Sequence, residues 1–148
     1  MKVALFPGTF DPFTLGHKDI VDRALQHVAD KVVIAIGRNI CKQCRQTVEE
    51  RLENIRRIYI DDSRVNVVAY DGLTIDLAQK VGAGFLLRGI RSVKDFEYER
   101  DIAETNRQLA GIETVLLYTD PRLAHVSSSM VRELASYGRD IAAFLPEI

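Results

Sequence analysis

A chain of 148 residues with a formal net charge of −1 is long enough to bury one core without disulfides or metal. It is too evenly charged to bind a polyanion across its whole surface, so nucleic acid is not an expected partner. At 47% hydrophobic and 28% charged residues the composition is globular, and no run nears the roughly 20 apolar residues that span a bilayer. The apolar start is cut off at Pro7-Gly8, so a secretory leader is not expected. The expectation is a cytoplasmic protein, one domain over residues 1–148.

Short Val-, Ile- and Leu-rich runs at residues 3–6, 32–36, 65–70, 84–87 and 114–118 have the character of buried parallel strands. The first leads into Gly8-Thr9-Phe10-Asp11-Pro12-Phe13-Thr14-Leu15-Gly16-His17, where a strand turns into a helix. Backbone N–H groups and a helix dipole can hold phosphate in that setting. Gly16 would let a phosphate approach the backbone, Thr9 offers a hydroxyl, and His17 offers a ring N–H whose cationic form the dipole disfavours. Residues 19–28 then carry Ile20, Val21, Ala24, Leu25 and Val28 on one stripe.

After the second strand comes a polar loop with Lys42 and the pair Cys41 and Cys44. A single C-x-x-C without further ligands reads as two incidental thiols, and a lone loop lysine as a solvated one. Thr47-Val48-Glu49-Glu50 predicts a capping box for the next helix. A short helix over 75–81 is expected to stop at Gly82, and a longer one to run from a Ser92 cap to Gly111. The fourth strand ends in Arg88-Gly89-Ile90-Arg91, whose forked donors suit phosphate or carboxylate. Ser127-Ser128-Ser129 precedes the last helix as a cap and a hydroxyl-rich anion cradle.

The alternation is βαβαβαβαβα, which predicts an α/β, Rossmann-like, doubly wound sheet of five parallel strands with helices on both faces. Such a sheet binds ligands outside the carboxyl ends of its strands, where the loops after strands one, four and five carry this polar chemistry. Two readings stay open on these grounds: an enzyme acting on a nucleotide, and a module that binds ATP without turning it over.

Pro7-Gly8-Thr9-Phe10-Asp11-Pro12 with Gly16-His17, Arg88-Gly89-Ile90-Arg91, Asp95-Phe96-Glu97-Tyr98-Glu99, Asn106-Arg107 and Ser127-Ser128-Ser129 together resemble the bacterial phosphopantetheine adenylyltransferases. The first block alone marks the wider T/H-x-G-H nucleotidyltransferase superfamily. The resemblance is collinear over nearly the whole chain. It implies reversible transfer of AMP from ATP to 4′-phosphopantetheine, giving dephospho-coenzyme A and pyrophosphate, with Mg²⁺ carried on the ATP phosphates and a homohexameric assembly. It further implies that His17 stabilises the transition state and acts with Thr9, Lys42 and Arg91. Thr9, Phe10, His17, Gly89, Ile90, Arg91, Glu99, Leu123, Ala124, His125, Val126, Ser127, Ser128 and Ser129 would bind ATP, and Thr9, Lys42, Thr74 and Arg88 the acceptor. The nearest alternative is a sister nucleotidyltransferase with another small phosphorylated acceptor, such as nicotinamide mononucleotide or glycerol 3-phosphate.

Overall fold

The computed structural model describes residues 1–38 and 44–148; Cys41 and Lys42 lie outside the described residues. Five parallel strands, β1 (Val3–Gly8), β2 (Lys31–Gly37), β3 (Val65–Tyr70), β4 (Phe85–Ile90) and β5 (Glu113–Tyr118), stand in the order β3-β2-β1-β4-β5. Helices α1 (Leu15–His27), α2 (Val48–Ile58), α3 (Thr74–Val81) and α4 (Val93–Ala110) connect them, and α5 (Ser128–Ser136) follows β5. The expected doubly wound sheet is therefore present.

Side-chain alternation assigns the two faces. Ala4, Phe6, Val32, Ile34, Ile36 and Leu87 pack with Ile20, Val21 and Ala24 of α1 and Ile55 of α2. Leu5, Val33, Ala35 and Leu86 point the other way, onto Ala78 of α3. The central strands are apolar on both faces because both faces are covered. The chain winds outward from β1 through β2 to β3, then crosses back to place β4 on the other side of β1. The order reverses between β1 and β4, and their carboxyl ends part to leave a crevice.

Two boundaries differ from expectation in ways that matter for the crevice. β4 runs on through Arg88, Gly89 and Ile90, because these residues pair in register with Leu116, Leu117 and Tyr118 of β5. The R-G-x-R block is thus the end of a strand and the start of a turn. Helix α1 begins at Leu15, four residues before the apolar stripe, so His17 lies in its first turn. Gly82 and Gly111 close α3 and α4 in the left-handed conformation, at φ 71° and 68°.

Gly89 is where α1 crosses β4. A Cβ there would lie 2.9 Å from Cγ1 and 3.1 Å from Cδ1 of Ile20. The missing side chain lets α1 sit low over the strand, carrying its N-terminus to the crevice. Gly89→Ala is expected to push α1 outward and cost about 1–3 kcal/mol, read as a lower denaturant midpoint at unchanged slope.

Candidate active site

His17 is fixed by its own helix. The Thr14 side chain accepts from the His17 N–H, and the Thr14 N–H donates to His17 Nδ1 at 2.9 Å. This is a capping box in which an imidazole takes the place usually held by a glutamate. In α2 the expected box is only half formed: Thr47 Oγ1 accepts from the Glu50 N–H at 3.1 Å, and Thr47 acts as a simple N-cap. The bond to Thr14 makes Nδ1 the acceptor, so the ring proton of neutral His17 sits on Nε2. Phe6, Phe10 and Phe13 surround the ring with centroids 6.3, 5.0 and 5.4 Å away. Burial, and after it the charges of Arg88 and Arg91, lower the imidazole from 6.5 to about 3. The direction agrees with the dipole argument, but loss of water is the leading cause.

Phe10 owes its place to an unusual backbone. It adopts φ 52°, the left-handed region that a bulky residue rarely enters, and the following Asp11–Pro12 peptide bond is cis. Its ring folds back over Gly8, where a Cβ would come within 2.7 Å of Cζ.

Arg88 at the end of β4 is held from two sides. Nε and Nη2 donate to the two carboxylate oxygens of Glu99 on α4, at 2.9 and 2.7 Å, and Nη1 donates to the Pro7 carbonyl. Arg91 Nε lies 3.4 Å from Asp95 Oδ2, which also accepts the Arg91 N–H at 3.0 Å. On the far side, Ser127 caps α5 by accepting from the Met130 N–H, Ser128 Oγ donates to the Pro12 carbonyl, and Ser129 Oγ accepts from Arg132. Each serine hydroxyl therefore already has a protein partner. Ser127 and Ser129 accept in these bonds and keep their O–H groups as donors, beside the backbone N–H groups of the helix's first turn.

Two cavities meet here. One, of about 460 Å³, is lined by Thr9, Phe10, His17, Gly89, Arg91, Val126 and Ser127–Ser129. The second, of about 410 Å³, runs between α3 and α4 past Tyr70, Thr74, Ile102 and Asn106. Pro7, Gly8, Thr9, Arg88, Tyr98 and Glu99 line both. Thr74 Oγ1 lies 2.8 Å from the Tyr70 hydroxyl. Of the expected nucleotide contacts, Ile90, Leu123, Ala124 and His125 line neither cavity. Ile90 is turned into the core, Leu123 ends a short 3₁₀ turn, and exposed His125 sets its ring edge-on to Phe144. Gly16, Asp95, Tyr98 and Thr119 stand on the first cavity's wall instead.

Asp11, Arg51 and Arg132 hold the first loop from beneath, and reading the chain locally misses them. Asp11, 1% exposed, accepts the N–H groups of Arg45 and Gln46 at 2.8 and 3.0 Å. Arg132 Nη1 donates to the Asp11 carbonyl at 2.7 Å, and Arg51 Nη1 to the Thr9 carbonyl at 2.7 Å. Arg51 and Arg132 contact this loop from 42 and 121 residues away in sequence. Among the described residues no three His, Cys, Asp or Glu side chains could together hold a metal ion. The two acidic residues on the first cavity's wall, Asp95 and Glu99, are engaged by Arg91 and Arg88.

Residues 5–134 match the model of the cytidylyltransferase-like family. The phosphopantetheine adenylyltransferase of Bacteroides thetaiotaomicron is 56% identical over 147 residues, covering 99% of this chain and 97% of the relative. That of Bacteroides fragilis is 55% identical over the same shares. Among solved structures, a lipopolysaccharide core biosynthesis protein from Thermoplasma volcanium superposes with a TM-score of 0.57 at 19% identity, over 81% of this chain and 97% of that one, a likeness of fold alone. Family-model match and near-full-length identity agree, and the chain belongs to the cytidylyltransferase-like family, among its phosphopantetheine adenylyltransferases.

Proposed function

We propose that the protein transfers AMP from ATP to 4′-phosphopantetheine, reversibly, yielding dephospho-coenzyme A and pyrophosphate, with residues 1–148 acting as one nucleotidyltransferase domain. The observation that carries this reading is the pair of cavities sharing the wall built by Pro7–Thr9 and Arg88. ATP occupies the cavity faced by the N-termini of α1 and α5. The acceptor's arm occupies the second, where Leu73, Ile75, Ile102 and Leu109 offer apolar contact, and its phosphate meets the α-phosphate at Arg88.

The attacking oxygen belongs to a phosphate already ionised at neutral pH, so the reaction needs no general base. His17 is unsuited to that role in any case, since Nδ1 is occupied by the Thr14 N–H and Nε2 carries the proton. Its task is donation from Nε2 to an oxygen of the α-phosphate as negative charge builds there. In-line attack forms one P–O bond and breaks the bond to the pyrophosphate oxygen, without a covalent enzyme intermediate. Arg88 has two N–H groups beyond those on Glu99 and Pro7, and these receive the acceptor phosphate. Thr9 serves both substrates, Lys42 assists at the acceptor, and Arg91 with the first turn of α5 holds ATP.

The nucleotide brings Mg²⁺ with it, since the wall's carboxylates are committed to arginines. Held by the ATP phosphates, the ion would neutralise charge on the triphosphate. Exposed apolar side chains at the start of α4, Val93 and Phe96, support association into the homohexamer. Among the described residues no helix is long and apolar enough to cross a membrane, which is compatible with a cytoplasmic enzyme.

Incubation with ATP, Mg²⁺ and a panel of phosphorylated acceptors tests the reading. Pyrophosphate is expected with 4′-phosphopantetheine and not with nicotinamide mononucleotide or glycerol 3-phosphate. Silence with phosphopantetheine rejects it.

A further inference from the structure

Arg51 is a buried cation with no ion-pair partner among the described residues. It projects from the first turns of α2 and is 3% exposed. It shares a small, mostly apolar cavity with Phe10, Pro12, Phe13, Ile55 and Ile58, with Gln46 and Asn54 also on its wall. Taking a guanidinium out of water into such surroundings is unfavourable unless its donors are met. An apolar side chain at this position would pack there without that cost, so stability alone does not account for an arginine.

What Arg51 holds is a single peptide unit. Nε donates to the Thr47 carbonyl within its own helix, and Nη1 to the Thr9 carbonyl at 2.7 Å. In a trans peptide the carbonyl and the next N–H point in opposite directions. With the Thr9 oxygen turned onto Arg51, the Phe10 N–H is turned away from Arg51, and both residues line the first cavity. A flip of this peptide would reverse both groups and present a carbonyl oxygen to phosphates. The flip would also carry Phe10 from φ 52° to the negative φ that a bulky residue prefers. The backbone's own preference therefore opposes the arrangement seen, and Arg51 opposes the flip.

We propose that Arg51 is a positioning residue for adenylyl transfer: its guanidinium locks the Thr9–Phe10 peptide with the N–H toward the phosphates and sets a fixed positive charge behind it. This rests on the adenylyl-transfer reading of the site. Asp11 and Arg132 fix the loop on the other side of Phe10, which leaves this one peptide as the element Arg51 controls.

Arg51→Met keeps the length of the side chain and removes charge and donors; Arg51→Lys keeps a charge and a donor. With misplacement of about 1 Å able to cost about 10²-fold in rate, R51M is expected to lower kcat about 30–100-fold while melting at or above the parent's temperature. R51K is expected to recover to within about fivefold of the parent on the same scale. An R51M that retains the parent's kcat, or an R51K no better than R51M, overturns the proposal. So does an R51M that fails to fold, or one whose Tm falls and whose activity returns on cooling, since Arg51 would then be a structural residue. The parent assayed in parallel separates these outcomes from failure of the adenylyl-transfer reading, in which the parent itself releases no pyrophosphate.

Discussion

His17→Ala is expected to lower kcat about 10²–10³-fold, the usual effect of deleting one donor aimed at developing charge, with KM for ATP changed only a few-fold. On the proposed reading ATP keeps Thr9, Arg91 and the first turn of α5, all on the same cavity wall. The interaction lost on this reading is one that strengthens only as the α-phosphorus becomes pentacoordinate. Steady-state kinetics with single-turnover measurements decide the point: a rise in KM at unchanged kcat would assign His17 to ground-state binding. Alanine also removes half of a capping box, worth about 0.5–2 kcal/mol. His17→Gln supplies the glutamine oxygen that commonly fills this box, so it should recover stability without recovering rate. The ring's proton affinity gives a second readout. With His17 held at about 3 in the fold and near 6.5 in the unfolded chain, the unfolded state binds more protons between those values. Stability from this group is complete above about pH 6.5 and is lost as pH falls toward 3. Tm measured against pH should slope upward through that window in the parent and lose this contribution in H17Q. In the free enzyme no acid limb of activity near pH 6.5 should trace to His17.

Those outcomes depend on features of different visibility in the sequence. The sheet was legible because burial on both faces forces unbroken apolar strands such as Val32–Ile36, and because caps act locally: Ser92, Gly82 and Gly111 end or begin helices where their side chains, or lack of one, require it. The rule that ligands sit at strand carboxyl ends then brought Thr9, His17, Arg88 and Ser127–Ser129 to one crevice. Long-range partners escaped. Nothing near Arg51 in sequence distinguishes it from Arg56 and Arg57 on the same helix, yet it is buried and they are exposed, because its partner is a carbonyl 42 residues away. Asp11 sat inside the quoted motif without a role, since the N–H groups it accepts come from Arg45 and Gln46. Arg88 and Gly89 do not look like strand residues; pairing with Leu116 and Leu117 of β5 extends the strand through them. Glu99, expected at the nucleotide from the resemblance alone, is engaged by Arg88 across from it.

That pair carries the other large effect. Arg88→Met leaves the Glu99 carboxylate, with a side chain 7% exposed, buried and unpaired. Breaking a buried pair on one side costs about 3–5 kcal/mol, and the 31% exposure of Arg88 puts this pair at the lower end. At about 2–4 °C per kcal/mol for a chain of this size, Tm should fall by about 6–12 °C. The same substitution removes the two remaining N–H groups that the proposed reading assigns to the acceptor phosphate, so KM for phosphopantetheine should rise about 10²-fold, as truncating a buried charged contact does, while ATP affinity changes far less. The two losses have separate causes and can be uncoupled. Adding Glu99→Leu to R88M removes the orphaned carboxylate and replaces the pair with apolar contact, which can equal or exceed a buried ion pair in stability. The double variant should therefore regain most of the lost Tm and none of the lost acceptor binding. Glu99→Leu alone should fall between: Arg88 keeps its bond to the Pro7 carbonyl and its charge, but loses the carboxylate that orients its fork, so acceptor KM rises less than in R88M. A double variant that regains acceptor binding along with stability would show that Arg88 serves the fold and not the phosphate.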